Sequence, residues 1–182
     1  MALSHGKKGD VIKMKRIALL IENLFDDKEL LYPYYRMLEE GFQVDLIGSE
    51  KNTTYTSKHG LPMKSDLASH EVFSKDYDAV IIPGGFSPDY MRRTQATVDF
   101  VKSMSLEHKL IAAICHGPWL MISSCDLRGR KLTGFHSVKV DIENAKATYL
   151  DEAVVVDENY ITSRTPLDLP LFTKAIIKHL IS

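Results

Sequence analysis

Cys115 and His116 stand side by side in LIAAICHGPWLMISS, where a short apolar run meets a stretch that reads as a helix. A thiol at such a junction can act as a nucleophile, with the histidine as its base or as a proton donor to the leaving group. Pro118 suits a helix start, because its missing N–H would be unpaired there in any case, and Ala113 and Gly117 leave room for a sharp turn. Strand, Ala-x-Cys-x-Gly and helix in that order make the cysteine counterpart of a nucleophile elbow. Such a turn lifts Sγ out of the sheet and aims helix-N-terminal amides at it, so Cys115 is expected to titrate below a free thiol. The plainer reading, a small buried hydrophobe ending a strand, fits the composition but not this arrangement. Adjacent side chains on a turn diverge, so Cys115 and His116 need not hydrogen-bond directly. A second strand ends in Ile81-Ile82-Pro83-Gly84-Gly85, whose paired glycines let backbone amides approach an anion. With Gly117, Gly84 and Gly85 are the candidates for oxyanion and substrate binding.

These groups need a sheet to carry them. Apolar runs at Arg16 to Ile21, Gln43 to Gly48, Ala79 to Ile82 and Leu110 to Ile114 read as strands buried on both faces. Between them Glu29 to Glu40, stopped by Gly41, and Thr94 to Glu107 carry apolar stripes at helical spacing. The alternation predicts a doubly wound parallel α/β sheet, with chemistry at the carboxyl ends of its strands. Thr53 to Met63, with the turn Lys58-His59-Gly60, reads as a hairpin inserted at an edge. Beyond residue 130 the pattern predicts a short segment around Leu132, a helix near Val138 to Ala145, strands near Val154 and Ile161, and a helix from about Leu169.

The 182 residues suit one domain, expected over 16–182, behind an N-terminal arm over 1–15 that holds Lys7, Lys8, Lys13 and Lys15. With 23 basic and 24 acidic side chains, the balance gives no reason to expect nucleic acid as a partner. The absence of a long apolar run argues against a membrane, and the first residues carry no apolar stretch of signal-peptide length. Two cysteines, Cys115 and Cys125, at a spacing that fits neither a redox pair nor a zinc ribbon, point to a reducing, cytoplasmic setting. The histidines lack metal-ligand spacing, and neither a GxGxxG nor a Walker loop occurs, so no metal or cofactor is expected.

Taken together, ELLYPYYRMLEEG, SKHGLPMKSD, YDAVIIPGG, ICHGPWLM, LRGRKLT and VVVDENYITSRTPLDL resemble the PfpI-type intracellular cysteine peptidases of the ThiJ/PfpI superfamily, from about Arg16 to the C-terminus. The resemblance implies a flavodoxin-like three-layer sandwich, a nucleophile at Cys115 and His116 as its neighbour in the catalytic set. It implies a homo-oligomer, a dimer or a higher ring, in which an acid after the Gly-Gly turn reaches across an interface to complete a triad; the matching residue is Asp89. It also implies a protonated carboxyl beside the cysteine sulfur. Ungapped alignment from Tyr32-Pro33-Tyr34 places Asp26 there, with Glu22 a weaker substitute. Both acids are then one methylene shorter than the family's glutamates, roughly the tolerance of a hydrogen bond. For Asp26 an N-cap role on the following helix is the alternative.

Three functions fit these residues. The first is thiol-dependent hydrolysis of peptides: Cys115 attacks a carbonyl, Gly85 and the amide after the elbow hold the oxyanion, and His116 protonates the leaving group. The second is glyoxalase or deglycase chemistry on methylglyoxal or its adducts. The third, without turnover, is a redox-sensing stress protein or chaperone built on an oxidisable thiol. A glutamine amidotransferase shares the elbow but needs a later His-x-Glu pair, which is missing after residue 120.

Overall fold

A computed structural model describes residues 14–182. All but the last two residues of the expected arm over 1–15 lie outside the described residues. The chain begins with β1 (Arg16–Leu20), α1 (Asp27–Glu39) and β2 (Gln43–Gly48), followed by the short strands β3 (Thr54–Thr56), β4 (Pro62–Lys64) and β5 (Leu67–Ala68). Next come β6 (Ala79–Ile82), α2 (Ser87–Met91), α3 (Gln95–Leu106), β7 (Leu110–Ile114) and α4 (Pro118–Ser124). The C-terminal third holds β8 (Lys131–Leu132), α5 (Lys139–Asn144), β9 (Thr148–Tyr149), β10 (Val154–Asp157), β11 (Tyr160–Ser163) and α6 (Leu169–Ile181).

Seven strands form the central sheet in the order β10-β11-β7-β6-β1-β2-β5. Every pairing in it is parallel except that of β10 with β11. The order reverses between β1 and β6: the chain leaves β1 toward β2 on one side and returns to β6 on the other. Crevices of doubly wound sheets open at this switch point, beyond the strands' carboxyl ends.

The strands read as unbroken apolar runs because both faces are covered. Ile17, Leu19, Ala79, Ile81, Leu110 and Ala112 pack toward a layer that includes Phe172 and Ile176 of α6 and Leu30 and Met37 of α1. Their alternates Ala18, Leu20, Val80, Ile82, Ile111 and Ala113 pack toward Phe100 and Val101 of α3, Leu120 of α4 and Ile142 of α5. The expected hairpin exists as a separate two-stranded sheet, β3 with β4, inserted before the edge strand β5. This is the doubly wound α/β sheet that the pattern predicts and the flavodoxin-like, three-layer sandwich that the resemblance implies. Strands and helices fall close to their expected ranges; the five-residue α2, too short to show a periodicity, was not foreseen.

Candidate active site

The carboxyl ends of β1, β6 and β7 converge on Cys115. The residue has φ of 60°, a left-handed conformation that costs a non-glycine residue about 1–2 kcal/mol. Three hydrogen bonds hold it there: Cys115 N donates to Ser163 O at 3.0 Å, Phe135 N donates to Cys115 O at 2.9 Å, and Gly117 N donates to Ile114 O at 2.8 Å. A Cβ on Gly117 would lie 2.7 Å from Ile82 O and 2.9 Å from Ile114 O, so the elbow passes too close to two strands for any side chain. The elbow expected from Ala-x-Cys-x-Gly is therefore present.

The reversed φ also turns the two neighbouring side chains toward each other. Cys115 Sγ lies 3.3 Å from His116 Nδ1, where divergence was expected from their adjacency. His116 Nε2 lies 3.4 Å from Ser137 Oγ. The imidazole stacks on Phe135, with centroids 5.2 Å apart, and meets the edge of Trp119 at 4.8 Å. Burial lowers the pKa of His116, and the charges of Lys58 and His136 add to the shift. The ring is thus kept neutral and able to accept a proton.

The carboxyl beside the thiol comes from Glu29, three residues past the expected position. Asp26 instead is the N-cap of α1: its Oδ1 accepts from Lys28 N at 3.0 Å and Glu29 N at 3.3 Å, and its Oδ2 binds Lys58 Nζ at 2.6 Å. Glu29, in the first turn of α1, is fully buried. Its Oε2 accepts from Gly84 N at 2.7 Å, the buried Oε1 has no hydrogen-bond partner among the described residues, and the carboxyl lies beside the Cys115 thiol. Burial, and next the charge of Asp26, raise the Glu29 pKa to about 7. Asp26 therefore does not supply the carboxyl that faces the thiol, and the missing methylene ceases to matter, because a glutamate makes that contact. The spacing Asp26-x-x-Glu29, N-cap to third helical residue, matches a capping-box sequence, but here the glutamate side chain accepts from Gly84 N instead. That signal was legible in the sequence; a glutamate in a first turn simply reads as ordinary helix chemistry.

The thiol departs from expectation in the same direction. Burial, foremost, and the neighbouring Glu29 charge push Cys115 above a free thiol, and only the His116 N–H opposes them. The short α4 behind the elbow does not outweigh the burial of Cys115, a residue 9% exposed, and the acids beside it. When Glu29 carries the proton, however, its charge vanishes and its O–H becomes a donor to sulfur. Cys115 and Glu29 thus titrate as a coupled pair.

Two of the three candidate oxyanion amides are already engaged. The Gly84 N–H serves Glu29 and the Gly117 N–H serves Ile114 O. Gly84 matters for its missing Cβ, which would lie 2.5 Å from Glu29 Oε2 and 2.8 Å from Cys115 Cβ. Gly85 has φ of 70° and bridges to Phe25. Asp89, in the first turn of α2, binds Arg93, with Nε donating at 3.0 Å, and it shares a groove with Arg92, Trp119 and Asp141. Among the described residues the His116 ring bonds Cys115 and Ser137, and no acid. Among the described residues no group of three His, Cys, Asp or Glu side chains is placed to hold a metal.

The model of the DJ-1/PfpI family aligns with residues 15–179. The chain belongs to the DJ-1/PfpI family. It is 41% identical over 163 residues to a deglycase of Pyrococcus abyssi, covering 90% of this chain and 98% of that one. It is also 41% identical over 162 residues to General stress protein 18 of Bacillus subtilis, covering 88% and 94%. Among solved DJ-1/PfpI structures, a two-domain protein from Anabaena variabilis, with a DJ-1/ThiJ/PfpI-like and a ferritin-like domain, superposes with a TM-score of 0.89 at 46% identity. That match covers 91% of this chain and 48% of the other, so the chain spans about half of the two-domain protein. Among the described residues no helix is long and apolar enough to cross a membrane.

Proposed function

We propose that this DJ-1/PfpI protein is a cysteine-dependent hydrolase of carbonyl adducts, a deglycase that releases amines from their methylglyoxal adducts. One observation carries the reading: a buried carboxyl with a pKa of about 7 faces the elbow thiol. Such a group gives and takes protons at neutral pH, the property that aldehyde chemistry needs beyond a nucleophile. The deglycase name of a 41% identical relative supports the same choice.

In the adduct one carbon bears the hydroxyl and the amine, and its neighbour is a ketone. Sγ bonds to the first carbon as the amine leaves. The thiol proton passes to His116 Nδ1, 3.3 Å away, and from there to the departing nitrogen. Glu29 then takes the remaining proton of that carbon and returns it to the ketone carbon, while the hydroxyl proton of the first carbon passes to the ketone oxygen. The first carbon is thereby oxidised to a thioester and the second reduced to an alcohol. Water cleaves the thioester, releasing a 2-hydroxy acid and the free thiol. The His116 and Gly85 amides are the donors for the oxygen that gains charge.

A peptidase is the second reading, favoured by the direct Cys115–His116 contact. His116 then takes its acid, Asp89, from a neighbouring copy in a homo-oligomer. Parallel assays on methylglyoxal-treated N-acetylarginine and on peptide substrates decide between the two. Release of N-acetylarginine, abolished in Cys115→Ala, is expected; peptide cleavage with no adduct turnover rejects the deglycase, and turnover surviving Cys115→Ala rejects both.

A further inference from the structure

Three acids crowd one corner of the site. Asp26 and Glu29 reach it from α1 and the Cys115 thiol from the elbow, with the neutral ring of His116 alongside. The charges of Glu29 and Asp26 both disfavour an anion on sulfur. The cation that meets them is Lys58, whose ammonium bonds the 7% exposed Asp26 carboxylate at 2.6 Å and acts on Glu29, Cys115 and His116.

Lys58 is not a loose surface lysine. It lies in the turn between β3 and β4, and the turn is fastened to the start of α1 at several points. Lys58 N donates to Phe25 O at 3.0 Å, Ser57 Oγ donates to Asp27 Oδ1 at 2.8 Å, and His59 Nδ1 lies 2.7 Å from Asp27 Oδ2. At the base of the turn, Leu24 N donates to Thr56 O at 2.8 Å and Thr56 N to Asn23 Oδ1 at 3.0 Å. Backbone and side-chain bonds thus fix the ammonium over the helix cap, although half of the Lys58 side chain faces solvent.

We propose that Asp26 and Lys58 form a counter-charge pair for Cys115: Lys58 cancels the Asp26 carboxylate beside the thiol, and the β3–β4 hairpin exists in part to deliver it. Lys58 is a positioning residue in this scheme, acting on sulfur through the field at the site, and Asp26 holds it while capping α1. Glu29, whose charge acts on the thiol more strongly than that of Asp26, then remains its principal acidic neighbour.

The test is the pH dependence of Cys115 alkylation, resolved from Cys125 by mass spectrometry. It needs no substrate, so its failure is distinct from failure of the deglycase reading. Lys58→Gln exposes the Asp26 charge and is expected to raise the alkylation midpoint by about one pH unit, roughly tenfold slower labelling below the midpoint. Lys58→Arg keeps the charge and should hold the wild-type midpoint. Asp26→Asn keeps a good helix cap and leaves Lys58 unopposed, so its midpoint should fall. Lys58→Gln combined with Asp26→Asn removes both charges and should return toward wild type. An unchanged midpoint in Lys58→Gln, a double variant as shifted as Lys58→Gln, or a raised midpoint in Asp26→Asn overturns the proposal. The Asp26→Asn arm decides even if Lys58→Gln disturbs the hairpin.

Discussion

At the scale of single residues, the site turns on one proton shared by two buried groups. Below pH 7 both Glu29 and Cys115 are protonated; as pH rises through about 7 the pair loses one proton. The remaining proton rests on the thiol, which passes it to His116 as sulfur attacks, and the ionised Glu29 is free to take the carbon-bound proton. Activity should therefore rise with pH along a limb near 7. Glu29→Gln keeps an oxygen for the Gly84 N–H and a donor toward sulfur but cannot ionise. Its turnover should fall by about 10²–10⁴-fold, the usual worth of a general acid–base group, and the limb should leave pH 7. A limb unmoved in the variant's rate profile assigns that ionisation elsewhere.

At the scale of elements, the turns after β6 and β7 and the first turn of α1 must meet within a few ångströms. Gly84 is where they touch, between Glu29 Oε2 and Cys115 Cβ. Its backbone has no need of a left-handed φ, so the requirement for glycine there is purely steric. Gly84→Ala should spread the glutamate from the sulfur and cost about 10²-fold in turnover, as ångström-scale misplacement does. The accompanying loss of stability should be about 1–3 kcal/mol, the range for overpacking. Turnover and urea unfolding of the same variant separate the effects; wild-type turnover would show that β6 and α1 part freely.

At the scale of the whole molecule, keeping Glu29 dry weakens the fold as pH rises. Its folded pKa, about 7, lies above the ordinary value of 4.5, so folding disfavours the charged form. The resulting stability is fully present below pH 4.5 and is lost as pH climbs through 7. The difference between those limits is about 3 kcal/mol. Glu29→Gln has no such titration. Relative to wild type it should gain stability steadily between pH 4.5 and 8, a trend that urea unfolding at several pH values follows. A constant difference between the two proteins would mean that Glu29 stays ionised in the folded state. Acid–base chemistry at neutral pH and this loss of stability have the same origin in burial.

The amino-acid sequence by itself determined the sheet, its covered faces and the elbow. Strand-length apolar runs, Gly41 after a helix and Ala-x-Cys-x-Gly are local patterns, and local sterics and hydrophobicity decide them. It also placed Cys115 and His116 side by side. The tertiary structure alone decided which acid serves the thiol. Asp26 and Glu29 are three residues apart on one helix start, and their roles follow from which of them the fold brings to Gly84 and which to Lys58. Two of the three glycine amides likewise proved spent on neighbours that no spacing reveals. Lys58 reads as a hairpin-turn lysine until the hairpin folds onto α1 and sets it against Asp26. Proton affinity follows the same division, because desolvation and charge proximity depend on three-dimensional packing: Glu29 is a proton carrier only when the closed fold has removed it from water.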